Sequence, residues 1–283
     1  MPDRSTGEIE LTVPPVDNVL DLHGDPLRAD LVIFLNGNQW MVMDELLAAF
    51  YQEHPEVKHI FYETIPPGIL LQQIHYGAIK MGELVISVSP DIYTAGREEM
   101  EELLRNGFIK EYFHYAENEL AIMVPSGNPK GIKGLVDLAR PDIRICMPNP
   151  QTEGVGRLIV RALEKAGGQG LVKTVMEKKV DNGTTYITRI HHRETIYRIL
   201  NGESDVGPLW ISEALYQKRI GSSLDYVTIH EEHNQKGRYF IAIVEKTVKH
   251  RATAEAFVRF MLSKKAGDIY ASYGFSSGLD FLA

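Results

Sequence analysis

Short apolar runs alternate with longer amphipathic stretches in the first part of the chain. The apolar runs have the length of buried strands, and the longer stretches repeat their apolar positions at helical spacing. We predict strands at residues 31–35, 59–63 and 84–88, separated by helices at residues 41–52 and 69–81. Strands that alternate with helices predict a parallel sheet covered by helices.

The alternation stops at one loop and then begins again. A helix at residues 97–106 and an apolar strand at residues 120–124 lead into Pro125-Ser-Gly-Asn-Pro129, whose composition is typical of a crossing between domains. Beyond this loop we predict helices near residue 135 and at 155–166 and 194–200, strands at 143–147, 172–180 and 205–209, and finally a strand at 239–245 and a helix at 252–262. Residues 1–28 lack lasting periodicity and predict an irregular leader with a short strand at 9–13.

The last strand and helix are too short for a third domain, so we expect them to complete the first one. The sequence therefore predicts an α/β fold of two lobes, each built on a mainly parallel sheet, with two crossings that form a hinge. Lobe I consists of residues 1–124 and 239–283, and lobe II consists of residues 125–238. Ligands of open α/β sheets bind beyond the carboxyl ends of strands, so a cleft between the lobes is the expected site.

Charge and composition exclude several classes of protein. A net charge of −8 over 283 residues repels nucleic acid. The chain contains no apolar stretch of about 18 residues, and its start lacks the apolar core of a secretory signal, so we expect a cytoplasmic or an already processed protein. The single cysteine, Cys146, excludes an internal disulfide and lies in an apolar strand, where a buried structural thiol is favoured over a nucleophile.

Four short motifs follow one another in the second half of the chain: Asn149-Pro-Gln-Thr-Glu-Gly-Val-Gly-Arg157, Asp205-Val-Gly-Pro-Leu-Trp-Ile-Ser-Glu213, Ala256-Phe-Val-Arg-Phe-Met-Leu-Ser-Lys-Lys-Ala-Gly267 and Tyr273-Gly-Phe275. Together with the crossing at residues 118–128, they resemble the molybdate-binding proteins of ABC importers in order and spacing. The resemblance covers most of the chain from about residue 30. It implies the type II periplasmic binding fold, in which hydroxyl and backbone N–H donors from several loops hold a tetrahedral oxyanion.

The resemblance also implies a role. The chain would capture a small anion, either a molybdate-like or tungstate-like oxyanion or a small phosphorylated or carboxylated compound, for the membrane permease of an ABC importer. It would act in the periplasm or outside the cell, as a monomer without cofactor or metal, and a cytoplasmic location stays open. A sensor or receptor domain of the same fold for an anionic metabolite is the main alternative.

In lobe I, the expected ligand-binding residues follow the three predicted strands: Asn36, Gly37, Asn38, Thr64, Gly68 and Ser89. The first loop offers amide side chains and a flexible backbone before a helix, although an Asn-Gly turn with a helix cap explains it almost as well. In the second loop Pro66 and Pro67 lack N–H groups, which leaves the hydroxyl of Thr64 and the amide of Gly68 as donors. Ser89 also has the composition of a helix or turn cap.

In lobe II, the expected ligand-binding residues precede or begin helices: Thr152, Gly154, Val155, Gly156, His192, Arg193, Thr195 and Trp210. By the resemblance, Val155 donates a backbone N–H, and Trp210 stands where the family has a tyrosine. The pair Gly154 and Gly156 also fits the start of a dinucleotide-binding loop, but Ile159 occupies the position of its third glycine. For Trp210, packing is an equal alternative.

The sequence His191-His-Arg193 is richer in positive charge than a molybdate site requires. A guanidinium with two imidazoles suits a carboxylate or phosphate, whereas the alternative is a solvated basic turn. If Arg193 and His192 line the cleft, ligand affinity should fall between about pH 6 and 8 as the imidazole loses its proton.

No enzyme motif stands out from the sequence. It offers no activated nucleophile, no paired catalytic carboxylates and no complete phosphate-binding loop, which favours a binding protein over an enzyme. The segment His230-Glu-Glu-His233 has a metal-like spacing, but it lies in a polar connection rather than on a helix.

Overall fold

Strands and helices alternate through the first part of the computed structural model, which describes residues 21–81, 83–189 and 191–278. In chain order they are β1 (Leu22–His23), β2 (Leu31–Phe34), α1 (Met43–Glu53), β3 (Ile60–Glu63), α2 (Pro67–Tyr76), β4 (Ile79–Met81), β5 (Leu84–Ile86), β6 (Ile92–Ala95) and α3 (Arg97–Arg105). A short 3-10 helix at Gly37–Val42 precedes α1. The strand predicted at residues 9–13 lies outside the described residues.

The remaining elements are β7 (Phe113–Pro125), β8 (Ile145–Met147), α4 (Gly154–Lys173), α5 (Lys179–Asp181), β9 (Thr185–Ile187), α6 (Glu194–Leu200), β10 (Gly207–Trp210), α7 (Ile211–Arg219), β11 (Leu224–Thr228), β12 (Lys236–Ile243), α8 (Arg251–Met261), α9 (Lys264–Ser272) and β13 (Ser276–Ser277). A second 3-10 helix occupies Leu135–Ala139. None of the helices among the described residues combines the length and apolar character needed to cross a bilayer.

The large sheet has a parallel centre. Strand β2 lies between β3 and β6 and pairs parallel with both, as the β-α-β pattern predicts. Every residue of these three strands is buried, because helices and loops cover both faces. Strands β1, β12 and β7 extend the sheet with antiparallel pairs, and β10 and β11 also pair antiparallel with β7. The prediction of mainly parallel sheets was therefore wrong for this sheet, whereas β8 and β9 form a small separate parallel sheet.

The prediction of a strand at residues 84–88 was wrong about its place in the sheet. Strands β4 and β5 form a separate antiparallel hairpin, and the third parallel strand is β6, at Ile92–Ala95. Burial distinguishes the two runs, because Val85 is exposed whereas Ile92 and Tyr93 are fully buried. The loop that follows the true third strand is therefore Gly96, and not residues 89–91.

Strand β7 is shared by both parts of the molecule. Its first part pairs with β12, and its second part, from Leu120, pairs with β10 and β11. The hydrogen-bonded sheet is therefore continuous through β7 within the described residues. The boundaries predicted for the lobes fall at the end of β7 and inside β12, and they stay a prediction.

Residues 172–180, predicted as a strand, are helical. Helix α4 extends to Lys173 and continues through a wide helical turn at Thr174–Lys178 into α5. Buried Leu171 and Val175 are four residues apart and so lie on one helical face. Gly167 and Gly168 depart from helical geometry, so they kink α4 where the sequence predicted its end.

Cys146 lies in the middle of β8 and is fully buried. Burial raises the pKa of its thiol to about 12. The thiolate, which is the reactive form, is therefore scarce at neutral pH. This confirms the prediction of a structural thiol.

Candidate functional site

A cavity of about 250 Å³ lies where several helices begin. Its wall contains Asn36, Gly37 and Asn38 at the start of the 3-10 helix, Pro66, Pro67 and Gly68 at the start of α2, Gly96, Arg97, Glu98 and Glu99 at the start of α3, Thr152, Glu153, Gly154 and Val155 at the start of α4, and Trp210 directly before α7. The first N–H groups of a helix have no partner within it and carry the positive end of its dipole. Helix starts that meet at one cavity therefore form a site for an anion.

The start of α4 is fixed by the loop before it. The backbone N–H groups of Thr152 and Glu153 donate to Asn149 O, which turns the chain into the helix. A Cβ on Gly156 would lie 2.6 Å from Pro148 O, so this glycine packs the first turn against the loop. Gly156 consequently lies behind the cavity, whereas Thr152, Gly154 and Val155 line it as the sequence predicted.

The first loop of lobe I is held by polar contacts. The backbone N–H of Asn36 donates to Thr94 Oγ1, and the Thr94 hydroxyl donates to Asn36 Oδ1, both at 2.9 Å. The side chain of Asn38 donates to the Tyr239 hydroxyl at 2.6 Å. These bonds orient both amides, so the loop enters the cavity in a fixed conformation.

Thr64 and Ser89 do not line the cavity. Thr64 is completely buried, its N–H donates to the backbone of Asp21, and its hydroxyl donates to Asp21 Oδ1 at 3.0 Å. It therefore holds Asp21 and cannot face a ligand. Ser89 is half-buried and precedes β6. The loop that follows the third parallel strand starts at Gly96, so Ser89 does not belong to it.

His192 reaches the cavity as the centre of a buried charged triad with Glu153 and Glu213. Its Nδ1 lies 2.5 Å from Glu153 Oε2, and its Nε2 forms an ion pair with Glu213 Oε1 at 3.2 Å. Burial alone would lower the pKa of this imidazole, but the charges of Glu213 and Glu153 outweigh burial and raise the pKa to about 10. His192 is thus an imidazolium at neutral pH.

Arg193 points away from the cavity, contrary to the sequence prediction. Its Nη2 lies 2.5 Å from Asp21 Oδ1 and 2.7 Å from His191 Nε2, and all three side chains are largely buried. The guanidinium that was expected to hold a ligand therefore binds a carboxylate of the protein itself. Burial, together with the positive charges of Arg193 and His192, keeps the pKa of His191 well below its usual value, so this ring is neutral.

Two further outcomes concern Thr195 and the predicted effect of pH. Thr195 is fully buried, its methyl group packs against the α-carbon of Gly207, and it does not line the cavity. Affinity was expected to fall between about pH 6 and 8, but this would require His192 to titrate near its usual value of 6.5. With its pKa near 10, any loss of that charge moves to alkaline pH.

Five basic side chains complete the cavity wall, and we call them the basic rim: Arg97, Arg157, Arg161, Lys236 and Arg238. Arg157 pairs with Glu98 at 3.3 Å and with Glu99 at 3.4 Å, so helix α4 contacts helix α3 beside the cavity. Arg97 was not predicted because the third strand was misplaced, and Lys236 and Arg238 were not predicted because the last strand was expected to begin at residue 239. An amphipathic helix directly after Gly96 was the signal that could have identified the first of them.

The cluster Glu153, His191 and His192 brings potential metal-ligand atoms within 4.8 Å of one another. However, the Arg193 guanidinium contacts the ring of His191, and His192 is engaged by carboxylates at both nitrogens. Both histidines are therefore engaged by charged side chains of the protein itself. His230, from the metal-like sequence motif, lies on an exposed turn and pairs with Glu232 at 3.6 Å.

Comparison with known proteins identifies a family and several relatives of this chain. The family described as bacterial extracellular solute-binding protein matches residues 31–276. The chain is similar to a sulfate-binding protein of Synechococcus elongatus, at 30% identity over 172 residues that cover 56% of the chain and 47% of that relative. It is also similar to the molybdate-binding protein ModA of Mycobacterium bovis, at 22% identity over 213 residues that cover 74% of the chain and 75% of that relative.

The fold also has solved counterparts. The sulfate-binding protein SubI from Mycobacterium tuberculosis superimposes with a TM-score of 0.71 at 20% identity, covering 86% of this chain and 85% of that one. This similarity confirms the predicted fold class, the two-lobed α/β architecture of type II periplasmic binding proteins.

Proposed function

The chain belongs to the family of bacterial extracellular solute-binding proteins, and from that premise we propose that its cavity binds a small oxyanion for an ABC importer. Members of the family are substrate-binding proteins of transporters, so the chain is not an enzyme, as the sequence predicted. The observation that carries the proposal is the meeting of the starts of α2, α3 and α4 at one cavity. Relatives named for sulfate and molybdate support an oxyanion as the ligand.

Neutral groups supply most donors in the proposed complex. Gly37, Asn38 and Gly68 of lobe I would offer backbone N–H groups, and Gly154 and Val155 would offer them from lobe II. Because each N–H carries only a partial charge, the protein need not bury a full counter-charge for every oxygen of the anion. Donors from two lobes also mean that the anion favours the closed cleft, since only there can it contact both sets.

We expect the fully loaded protein to deliver its anion to a membrane permease, in the periplasm or at the outer surface of the cell. A thermal-unfolding screen of sulfate, molybdate, tungstate and phosphate is the direct test. An anion at a hundred times its Kd stabilises the folded state by about 2.7 kcal/mol, which produces a clear rise in Tm. If no oxyanion stabilises the protein, the proposal fails.

Gly154→Pro should weaken oxyanion binding roughly 10- to 150-fold, the equivalent of about 1.5–3 kcal/mol for a hydrogen bond to a charged group. Gly154 is the first residue of α4, where proline is favoured, and Glu153 before it is already extended, with φ −124° and ψ 132°. A Cβ at Gly154 would meet only Arg157, at 3.7 Å. The proline therefore removes one N–H without disturbing the helix.

Gly154→Ala is the matched control, because it adds a Cβ and keeps the N–H. Titration calorimetry on both variants should give a normal affinity for alanine and a reduced one for proline. Equal affinities would show that this N–H does not hold the anion.

A further inference from the structure

One tyrosine reaches the cavity from the sheet rather than from a helix start. Tyr239 lies in β12, contributes to the cavity wall and has 4% of its surface exposed. Strand β12 pairs with β6 on one side and with β7 on the other, so its backbone is held within the continuous sheet. The side chain of Tyr239 is therefore presented to the cavity from a fixed base.

The register between β12 and β7 shifts at this residue. Tyr239 pairs with Ala116 of β7. The next residue of β12, Phe240, pairs with His114, so Tyr115 is an extra residue in β7. A bulge of this kind bends a strand locally, re-aims its side chains and is common beside functional sites. The irregularity lies at the point where the strand presents Tyr239 to the cavity.

Aromatic contacts fix the direction of the Tyr239 ring. Its centroid lies 5.8 Å from that of Trp210 and 6.0 Å from that of Phe275, both in edge contacts. Trp210 in turn packs on Gly237, where any Cβ would collide with the indole. Edge contacts between aromatic rings are directional, so they restrict how the rings can turn. The position of the Tyr239 hydroxyl is therefore set before a ligand enters.

The hydroxyl of Tyr239 accepts from amide side chains. Asn38 Nδ2 donates to it at 2.6 Å. Burial raises the pKa of Tyr239 well above its usual value, and hydrogen bonds with Asn38 and Asn118 only partly oppose this effect. Asn118 is itself oriented, because it accepts from the N–H of Glu119 and donates to Ser212 Oγ. A protonated phenol that accepts from an amide still has its own hydrogen to donate.

We propose that the Tyr239 hydroxyl donates this hydrogen to the bound oxyanion, in addition to the N–H groups of the helix starts; this inference rests on the proposed function. Asn38, which donates to the hydroxyl, lines the same cavity, so an anion bound at its loop lies beside the hydroxyl. An O–H group that donates to an anion forms a short hydrogen bond, roughly twice as strong as one between neutral groups. Tyr239 thus strengthens binding without adding a charge to the wall.

Titration calorimetry on the full chain, at fixed pH and ionic strength, tests this with sulfate, molybdate, tungstate and phosphate as probes. Tyr239→Phe removes only the hydroxyl and should weaken binding of the anion that the wild type prefers by about 10- to 150-fold.

Tyr115→Phe is the matched control. Tyr115 is also buried and does not line the cavity, and its hydroxyl donates to Gln39 Oε1 at 2.7 Å. Tyr270 still donates to the same oxygen at 2.9 Å after the substitution, so Gln39 keeps a partner. The affinity of this variant should stay close to that of the wild type.

Tyr239→Phe also removes the acceptor of Asn38, so a double-mutant cycle separates direct donation from positioning of Asn38. The cycle consists of Tyr239→Phe, Asn38→Ala and the double variant. If the hydroxyl donates to the anion, Tyr239→Phe weakens binding in the Asn38→Ala background as well. No further loss in that background would mean that Tyr239 only holds Asn38, and the inference would be overturned.

The remaining outcomes are distinguishable. If the wild type binds none of the four anions, the proposed function fails. If the wild type binds an anion and Tyr239→Phe binds it as tightly as Tyr115→Phe does, the proposed function stands and the role of Tyr239 is wrong. Circular dichroism and thermal unfolding of each variant establish that a lost affinity does not reflect a lost fold.

Discussion

His192→Ala should lower the free energy of unfolding by about 3–5 kcal/mol, the usual cost of breaking a buried ion pair from one side. The substitution leaves Glu153 and Glu213 buried, with 3% and 1% of their surface exposed, and without the cation between them. Urea unfolding followed by circular dichroism measures the loss. His230→Ala is the control, because the ion pair of His230 with Glu232 is largely exposed and should contribute under about 1 kcal/mol.

The same triad predicts how stability depends on pH. The pKa of His192 is about 10 in the folded protein and 6.5 for a free imidazole, because Glu213 and Glu153 outweigh the effect of burial. The folded state therefore holds the proton more tightly than the unfolded state. Its contribution is complete below about pH 6.5 and is lost as pH rises towards 10.

Comparing the wild type with His192→Gln across pH 6 to 10 isolates this contribution from other titrating groups. The stability difference between the two proteins should shrink as pH rises. A difference that is constant over this range would mean that His192 is not protonated in the folded state.

Arg193→Ala should destabilise the protein by a similar amount, about 3–5 kcal/mol, because it leaves the buried carboxylate of Asp21 without its positively charged partner. The side chains of Arg193 and Asp21 are 5% and 11% exposed, and their charged atoms are 2.5 Å apart. The pair also joins the loop before α6 to the segment before β1, so the contacts between these parts of the chain should loosen. We expect weaker oxyanion binding as a second effect, although Arg193 does not line the cavity.

A double-mutant cycle separates this ion pair from the loss of packing. Asp21→Asn, Arg193→Met and the double variant should show a coupling energy well above zero, with the double variant more stable than the sum of the single losses implies. Additive losses would mean that the two side chains contribute independently.

Local patterns predicted the elements that depend on nearby residues. The strands β2 and β3 and the helix α6 lie where periodicity placed them, because burial and helical spacing are visible within a short window. The third parallel strand was misplaced because two apolar runs compete for it. Asp91 favours β6: its carboxylate accepts N–H bonds from Val32 and from Lys249, which are 59 and 158 residues away.

The strand prediction for residues 172–180 was wrong for a related reason. Their β-branched residues favour a strand locally, yet packing of Val175 into the core selects a helix. Intrinsic preference is weak compared with burial, so tertiary contacts decide such segments. Those contacts cannot be found within one window of sequence.

The candidate site likewise contains residues that the sequence predicted correctly and residues that it did not. Gly37, Gly68 and Val155 line the cavity because each lies at a helix start after a strand, a relation that sequence order preserves. Arg193 and Thr64 were misjudged because their partner, Asp21, lies 172 and 43 residues away. A charged residue beside a predicted cleft serves the ligand or the protein according to partners that only the fold brings near.

Because Cys146 is buried, the rate at which a thiol reagent modifies it measures how often the surrounding structure unfolds. Because the chain has a single cysteine, a thiol reagent can modify only one site, and that site is reached only through transient unfolding of the strand around it. When reclosing outpaces the reagent, the labelling rate is proportional to the equilibrium population of the open form. A ligand that binds only the folded state should slow labelling by the factor 1 + [L]/Kd. Affinities for colourless anions can thus be measured on the wild-type chain by mass spectrometry, without any engineered label.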